Sequence, residues 1–187
     1  SDDSSGASAY LTHLALQDYA LTGYGIAATW SDRIEVSISR QDFDTRNSLA
    51  ALDFAGLHLK QDIVGLKLRV AGDAVLNSDQ WMPQIAVGVQ HKHLDAGRFR
   101  PVLRSLGART DDTDYYASAT KLLLAQGVLL NATLRATRAN QNGLLGFGSS
   151  ARESRQWQAE TSVALLLRRD LAVGVEYRTQ PDNLDGV

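Results

Sequence analysis

A two-residue alternation of apolar and polar side chains is the feature that most constrains how this chain can fold. In the segment 171–178, Leu171 and every second residue after it are apolar, and they alternate with Ala172, Gly174, Glu176 and Arg178. Successive side chains of a β-strand point to opposite faces, so the segment predicts a strand between an apolar and a polar medium. Small and charged residues occupy the polar positions of several such segments. This pattern is typical of a bacterial outer-membrane barrel with an apolar exterior and a wet interior.

Nine strands are predicted from the alternation, at residues 7–17, 22–30, 33–41, 57–71, 81–93, 114–125, 128–139, 157–167 and 171–179. Their lengths are close to the roughly 9–11 residues that cross a bilayer at a tilt. Short turns at 31–32, 126–127 and 168–170 alternate with long loops at 42–56, 94–113 and 140–156, and the turn at 72–80 is intermediate. Outer-membrane barrels have short periplasmic turns and long outer loops. We therefore expect an all-β, antiparallel, up-and-down transmembrane β-barrel.

Length, charge and cysteine content limit which classes of protein this chain can belong to. A chain of 187 residues allows a single β-barrel domain over residues 1–187, and a net charge of −2 gives no reason to expect nucleic acid as a partner. The absence of cysteine excludes disulfides and thiolate metal sites.

Both ends have the composition of polar loops, with no signal peptide. We expect the complete protein to extend beyond both ends and to contain 10–12 strands in all.

The fourth predicted strand changes phase. Its first apolar residues, Leu57 and Leu59, are odd-numbered, whereas the apolar residues from Val64 to Val70 are even-numbered. A strand keeps one parity on each face, so the change predicts a β-bulge or a loop that ends later than residue 56.

Charged residues fall on the predicted polar faces of five strands; they are Glu35, Lys67, Arg69, Arg135, Glu160, Glu176 and Arg178. Two hypotheses follow. The charges could line an aqueous lumen and bias which solutes pass, or they could pair across strands and fill a narrow barrel. Both signs occur in similar numbers, which favours pairing, because a charge inside a barrel is tolerated only when it is paired or wet.

Aromatic residues lie near the predicted strand ends; they are Tyr24, Trp30, Trp81, Trp157 and Tyr177. Aromatic girdles at the two lipid–water boundaries would put them there. The alternative is that they cap a soluble core.

Signals for catalysis and metal binding are weak. His91 and His93 share one face of a strand and could bind a metal, but no third ligand is evident, so we expect a solvated strand end and no metal. No nucleophile motif is present, and we predict neither an enzyme nor a cofactor. Gly143, Gly146 and Gly148 lack the lysine and hydroxyl residue of a phosphate loop, which favours a flexible or tightly folded loop.

Several motifs in order resemble one known family. They include AGDAV at 71–75, WMPQIAVG at 81–88, NQNGLLGFG at 140–148 and VEYRTQPDNL at 175–184. From about Tyr24 onward the chain resembles the DUF3034 family of Gram-negative bacterial proteins of unknown function. The resemblance implies an exported outer-membrane β-barrel whose chain extends beyond both ends of this one. It implies no activity, cofactor or catalytic residue.

The resulting expectation is a porin-like protein of the bacterial outer membrane, acting as a passive small-solute pore or as a structural scaffold. Its expected partner is outer-membrane lipid, and the loops at 42–56, 94–113 and 140–156 offer places for another envelope protein to dock. One alternative is a soluble, lipocalin-like barrel that binds an apolar ligand, in which the aliphatic face would line the cavity. A less favoured alternative is an outer-membrane enzyme.

Overall fold

A computed structural model describes residues 5–48, 53–73, 75, 81–150, 153–168 and 170–179. Within them, nine antiparallel strands follow one another in chain order in a single sheet that curls into a half-barrel. The strands are β1 (Gly6–Ala15), β2 (Ala20–Trp30), β3 (Ile34–Asp44), β4 (His58–Ala71), β5 (Gln84–Asp95), β6 (Asp111–Leu123), β7 (Val128–Thr137), β8 (Gln156–Arg168) and β9 (Leu171–Arg178). The predicted all-β, antiparallel, up-and-down class is confirmed. The terminal loops predicted before residue 5 and after residue 179 lie outside the described residues.

Strand boundaries differ from the predicted ones where proline or a loop intervenes. β5 begins at Gln84 and not at Trp81. Pro83 has no N–H to donate to a neighbouring strand, so pairing starts after it. β6 begins at Asp111, within the segment predicted as a loop.

The hairpin between β2 and β3 forms around the predicted Ser31-Asp32 turn. Both residues have φ of 50°, and the N–H of Arg33 donates to the carbonyl of Trp30 at 3.0 Å. Positive φ at both central positions gives the turn a twist that matches the flanking strands. The connections after β2, β4, β6 and β8 define the turn end of the sheet. Those after β1, β3, β5 and β7 define the loop end, which holds all three long loops.

No bulge against β3 explains the phase change in β4, and the strand begins at His58, one residue later than predicted, which still leaves Leu59 inside it. β4 pairs with β3 without interruption from Asp44 opposite His58 to Ile34 opposite Leu68. The one register shift lies against β5, between Arg69 and Ala71. Leu59 is 1% exposed and lies on the same face as the polar residues further along β4. The parity changes because loops cover that face at the loop end, so its residues there are apolar.

The three long loops pack together into a buried apolar cluster, which we call the loop cap; it consists of Leu57, Leu59, Leu94, Ala96, Phe99, Leu103, Ala108, Ala139 and Phe147. A six-residue helix, α1 (Arg100–Ser105), lies within it. Backbone bonds of 2.9 Å in both directions between Arg109 and Phe147 join two of the loops. Within the described residues, no helix has the length and apolar character needed to cross a membrane.

Candidate functional site

The two faces of the sheet differ in chemistry and in exposure. On β3, the side chains of Ile34, Val36 and Ile38 are exposed, whereas Glu35 and Ser37 between them are half-buried. Directly paired residues of neighbouring strands lie on the same face, so each face continues from strand to strand across the sheet. Ile38 lies between Ile26 of β2 and Val64 of β4, and these three side chains are 50–62% exposed. Aliphatic side chains therefore form an outer surface, and polar side chains occupy the better-covered side.

Contacts between strands that are not neighbours identify the polar face as the concave one. Arg135 of β7 donates to the Gln90 side chain of β5 at 2.7 Å, reaching across β6. One cavity of about 240 Å³ is lined by side chains from β3 through β7. Side chains from strands as far apart as β3 and β7 can border one small cavity only on the inside of a curled sheet, so the aliphatic face is convex.

Asp114 is the centre of an ionic cluster on the concave face. Its side chain is 0% exposed; Lys92 lies 2.8 Å from its carboxylate and Arg135 lies 3.8 Å away. Arg135 also contacts Glu160 at 3.0 Å, and Arg178 contacts Glu160 at 3.6 Å. These five alternating charges, which we call the ionic cluster, run across β5, β6, β7, β8 and β9. A buried carboxylate is tolerated here because cations surround it.

All seven charged residues predicted for the polar face lie on the concave face. Besides those in the ionic cluster, Lys67 contacts Glu35 at 3.2 Å, and Glu176 contacts Arg178 at 2.8 Å. Arg69 stands apart near the turn end, where it donates to the carbonyl of Gly72 at 3.2 Å. The structure thus brings six of the seven into ion pairs.

Sequence reasoning missed Lys92, Asp112 and Asp114, the most buried charges of this face. Asp112 contacts Arg138 at 3.0 Å and Arg155 at 3.5 Å. Both aspartates lie at the start of β6, where a loop or the first residue of a strand was predicted. A signal was present in the sequence, because the polar series at even positions from Asp112 to Thr120 continues without a break.

The loop cap is tied to the concave face through Asn142. The Gln61 side chain donates to the Asn142 carbonyl at 3.3 Å, and Arg178 donates to its side-chain oxygen at 3.2 Å. Gly143 has φ of 98°, and a Cβ there would lie 2.9 Å from the Phe147 ring. The glycine-containing loop is therefore tightly folded over the polar interior, one of the two outcomes the sequence favoured.

The four histidines lie on the convex face near the loop end, and each is hydrogen-bonded through Nδ1 to the neighbouring strand. His91 contacts the Thr113 hydroxyl at 3.1 Å, and His93 contacts the Asp111 carboxylate at 2.5 Å. His13 and His58 have similar partners in Thr22 and Asp42. No group of three or more metal-ligating side chains with metal-site geometry occurs among the residues that the structure describes.

The five predicted girdle aromatics are exposed; Trp81 precedes β5, and the other four lie on the convex face. Tyr24 lies beside Arg40, where the convex face becomes polar toward the loop end. Trp30 lies at the turn end of the same face. Pairing places Trp157 beside Ala136 and Tyr177 beside Thr161. Their distribution along the strands is compatible with two belts.

Comparison with known proteins gives one finding. Neither a curated protein nor a solved structure matches the chain significantly. A family model described as a protein of unknown function, DUF3034, matches residues 1–187. The match covers the whole chain, so this protein belongs to the DUF3034 family.

Proposed function

We propose that this protein is an outer-membrane β-barrel protein of Gram-negative bacteria and that it acts as a structural scaffold. The observation that carries the proposal is a continuous band of exposed aliphatic side chains on the convex face, between the turn end and the polar residues near the loop end, opposite a concave face of paired charges. Soluble monomers rarely expose a large contiguous apolar patch, whereas a transmembrane barrel requires one. In this arrangement the convex face contacts lipid hydrocarbon.

The lipocalin-like alternative requires the opposite facing. An apolar ligand would need aliphatic side chains on the concave side, where the central strands instead carry residues such as Lys67, Lys92 and Asp114. Ion pairs facing such a ligand would lose water and gain nothing in return. The geometry therefore supports the membrane proposal over this alternative.

A closed antiparallel barrel would need strands in addition to the nine described ones. Among the described residues, β1 pairs only with β2, and β9 pairs only with β8. In hydrocarbon both free edges must be hydrogen-bonded. Nine antiparallel strands leave β1 and β9 running in the same direction, so antiparallel closure takes an odd number of additional strands. We propose that such strands complete the barrel.

A scaffold is favoured over an open pore because paired charges and the loop cap occupy the interior toward the loop end. The ionic cluster spans five strands, and the loop cap covers the concave face at the loop end. In the usual orientation of outer-membrane barrels that end faces outward. The outer sides of the long loops then remain available to another envelope protein, although many of their apolar residues are committed to the cap.

Planar-bilayer recording on the full chain distinguishes the two roles. The scaffold proposal predicts no steady conductance for the wild type. A steady current that changes when Arg135 is replaced by alanine would instead identify a pore lined by the concave face. As the matched control, Arg40→Ala removes a cation from the convex face and leaves such a current unchanged.

A further inference from the structure

We propose that the concave face binds a small, uncharged, hydroxyl-bearing solute in the cavity between the ionic cluster and the turn end. The cavity volume is about 240 Å³, and its wall comes from five consecutive strands. Six neutral residues with hydrogen-bonding groups line it: Gln84, Gln90, Ser118, Thr120, Asn131 and Thr133. The remaining wall residues are Ala86, Tyr116 and three charged side chains.

The charged residues in the wall already have partners. Glu35 pairs with Lys67 at 3.2 Å, and Arg135 pairs with Glu160 at 3.0 Å while donating to Gln90. An ionic solute would have to break one of these pairs, and breaking a partly buried pair leaves a charge uncompensated. The wall therefore discriminates against ions.

Neutral groups in the wall are only partly used. Asn131 donates to the Thr120 hydroxyl at 2.8 Å and accepts from Thr133 at 3.1 Å. The hydroxyls of Tyr116 and Ser118 line the cavity and make no hydrogen bond with another described residue. An apolar solute would leave these groups unpaired, at a cost, whereas hydroxyls of a solute can both donate to them and accept from them.

Tyr116 gives the cavity an aromatic wall. Its ring lies over Gly88 of β5, where a Cβ would come within 2.5 Å of the ring atoms. The Arg135 guanidinium lies 5.1 Å from the ring centroid on the side of the ionic cluster. A fixed ring beside neutral donors and acceptors suits the C–H face and hydroxyl edge of a sugar or sugar alcohol. Gln84 is the first residue of β5, so the cavity extends toward the turn end.

The solute site rests on the proposed function in one respect: the proposed function determines from which side of the membrane the site is reached. Binding itself does not depend on it. Binding is measured on the full chain in detergent micelles by saturation-transfer NMR, with glucose, mannitol and sucrose as probes. At least one probe should show binding that reaches a plateau as its concentration is raised. The double variant Tyr116→Phe with Ser118→Ala should weaken that binding about tenfold, as expected for two lost hydrogen bonds.

Tyr115→Phe is the matched control, because Tyr115 is the preceding residue and lies on the convex face; its binding should equal that of the wild type. Gly88→Ala, which places a methyl group against the ring, should also weaken binding. Absence of saturable binding by all three probes, or equal binding by the double variant, overturns the site. A chain that fails this test and still inserts into lipid loses the solute site and keeps the proposed function.

Discussion

The convex and concave faces belong to the same nine strands but differ in which side chains are exposed: apolar ones are exposed on the convex face, and charged ones are buried on the concave face. On the convex face, Val64 and Val175 are half-exposed or more, and no apolar layer from the described part of the chain covers them. On the concave face, Asp114 is fully buried and Lys92 nearly so. In a water-soluble protein the apolar side chains are the ones usually removed from solvent. The reversal shows that this fold is organised around a polar interior, which makes sense where the outer solvent is hydrocarbon.

A second contrast divides the concave face itself. In its middle the residues are charged and paired, whereas at the loop end Leu59, Leu94 and Phe147 form part of an apolar cluster. The difference follows from what faces each position. In the middle of the concave face, side chains of β3 to β7 surround a cavity, whereas the long loops cover the face at the loop end. One face of one sheet thus changes chemistry along its length without any break in pairing.

Removing the central carboxylate should have the largest effect on stability. Asp114→Ala leaves Lys92 and Arg135 without the charge between them, and breaking a buried ion pair by removing one partner costs about 3–5 kcal/mol. Urea unfolding in detergent micelles, followed by circular dichroism, measures the loss. An unfolding free energy within error of the wild type would contradict the central role given to this cluster.

A charge on the convex face should have a somewhat smaller effect, because the hydrocarbon proposed to surround this face disfavours a charged side chain. Leu134 is 47% exposed, and Leu134→Arg should cost about 2–4 kcal/mol near the bilayer midplane. The measurement is the free energy of unfolding of each variant in lipid vesicles. Ser162→Arg, on the concave face of β8 opposite Glu176, provides the reference for an arginine that does not meet lipid. Equal stability of Leu134→Arg and wild type in vesicles would argue against lipid contact at this position.

The smallest effect is expected for an ion pair on the convex side. Arg40 and Asp62 lie 2.5 Å apart with both side chains about half-exposed. Exposed pairs contribute about 0–1 kcal/mol, so Asp62→Ala should change stability far less than Asp114→Ala. The same urea series measures both. A loss as large as that of Asp114→Ala would remove the distinction drawn between the faces.

The alternation of residues predicted all nine strands and the face of all seven named charges, because strand parity is a local property. The loop cap was not predicted, since α1 is only six residues long, too short for a clear periodic pattern, and Phe99, Leu103 and Phe147 meet only through tertiary packing. The burial of Lys92 was not predicted, because its partner Asp114 lies far from it in the sequence. Only the three-dimensional pairing of β5 with β6 brings it to Asp114.

Lipid contact by the convex face is tested most directly by tryptophan quenching. The chain has three tryptophans, and Trp81→Phe leaves only Trp30 and Trp157, which lie at exposed positions on that face. In vesicles of phosphatidylcholine brominated along its acyl chains, the membrane proposal predicts strong quenching of their fluorescence, relative to vesicles without bromine. Unquenched tryptophans in a chain that stays folded and monomeric without detergent or lipid would contradict it.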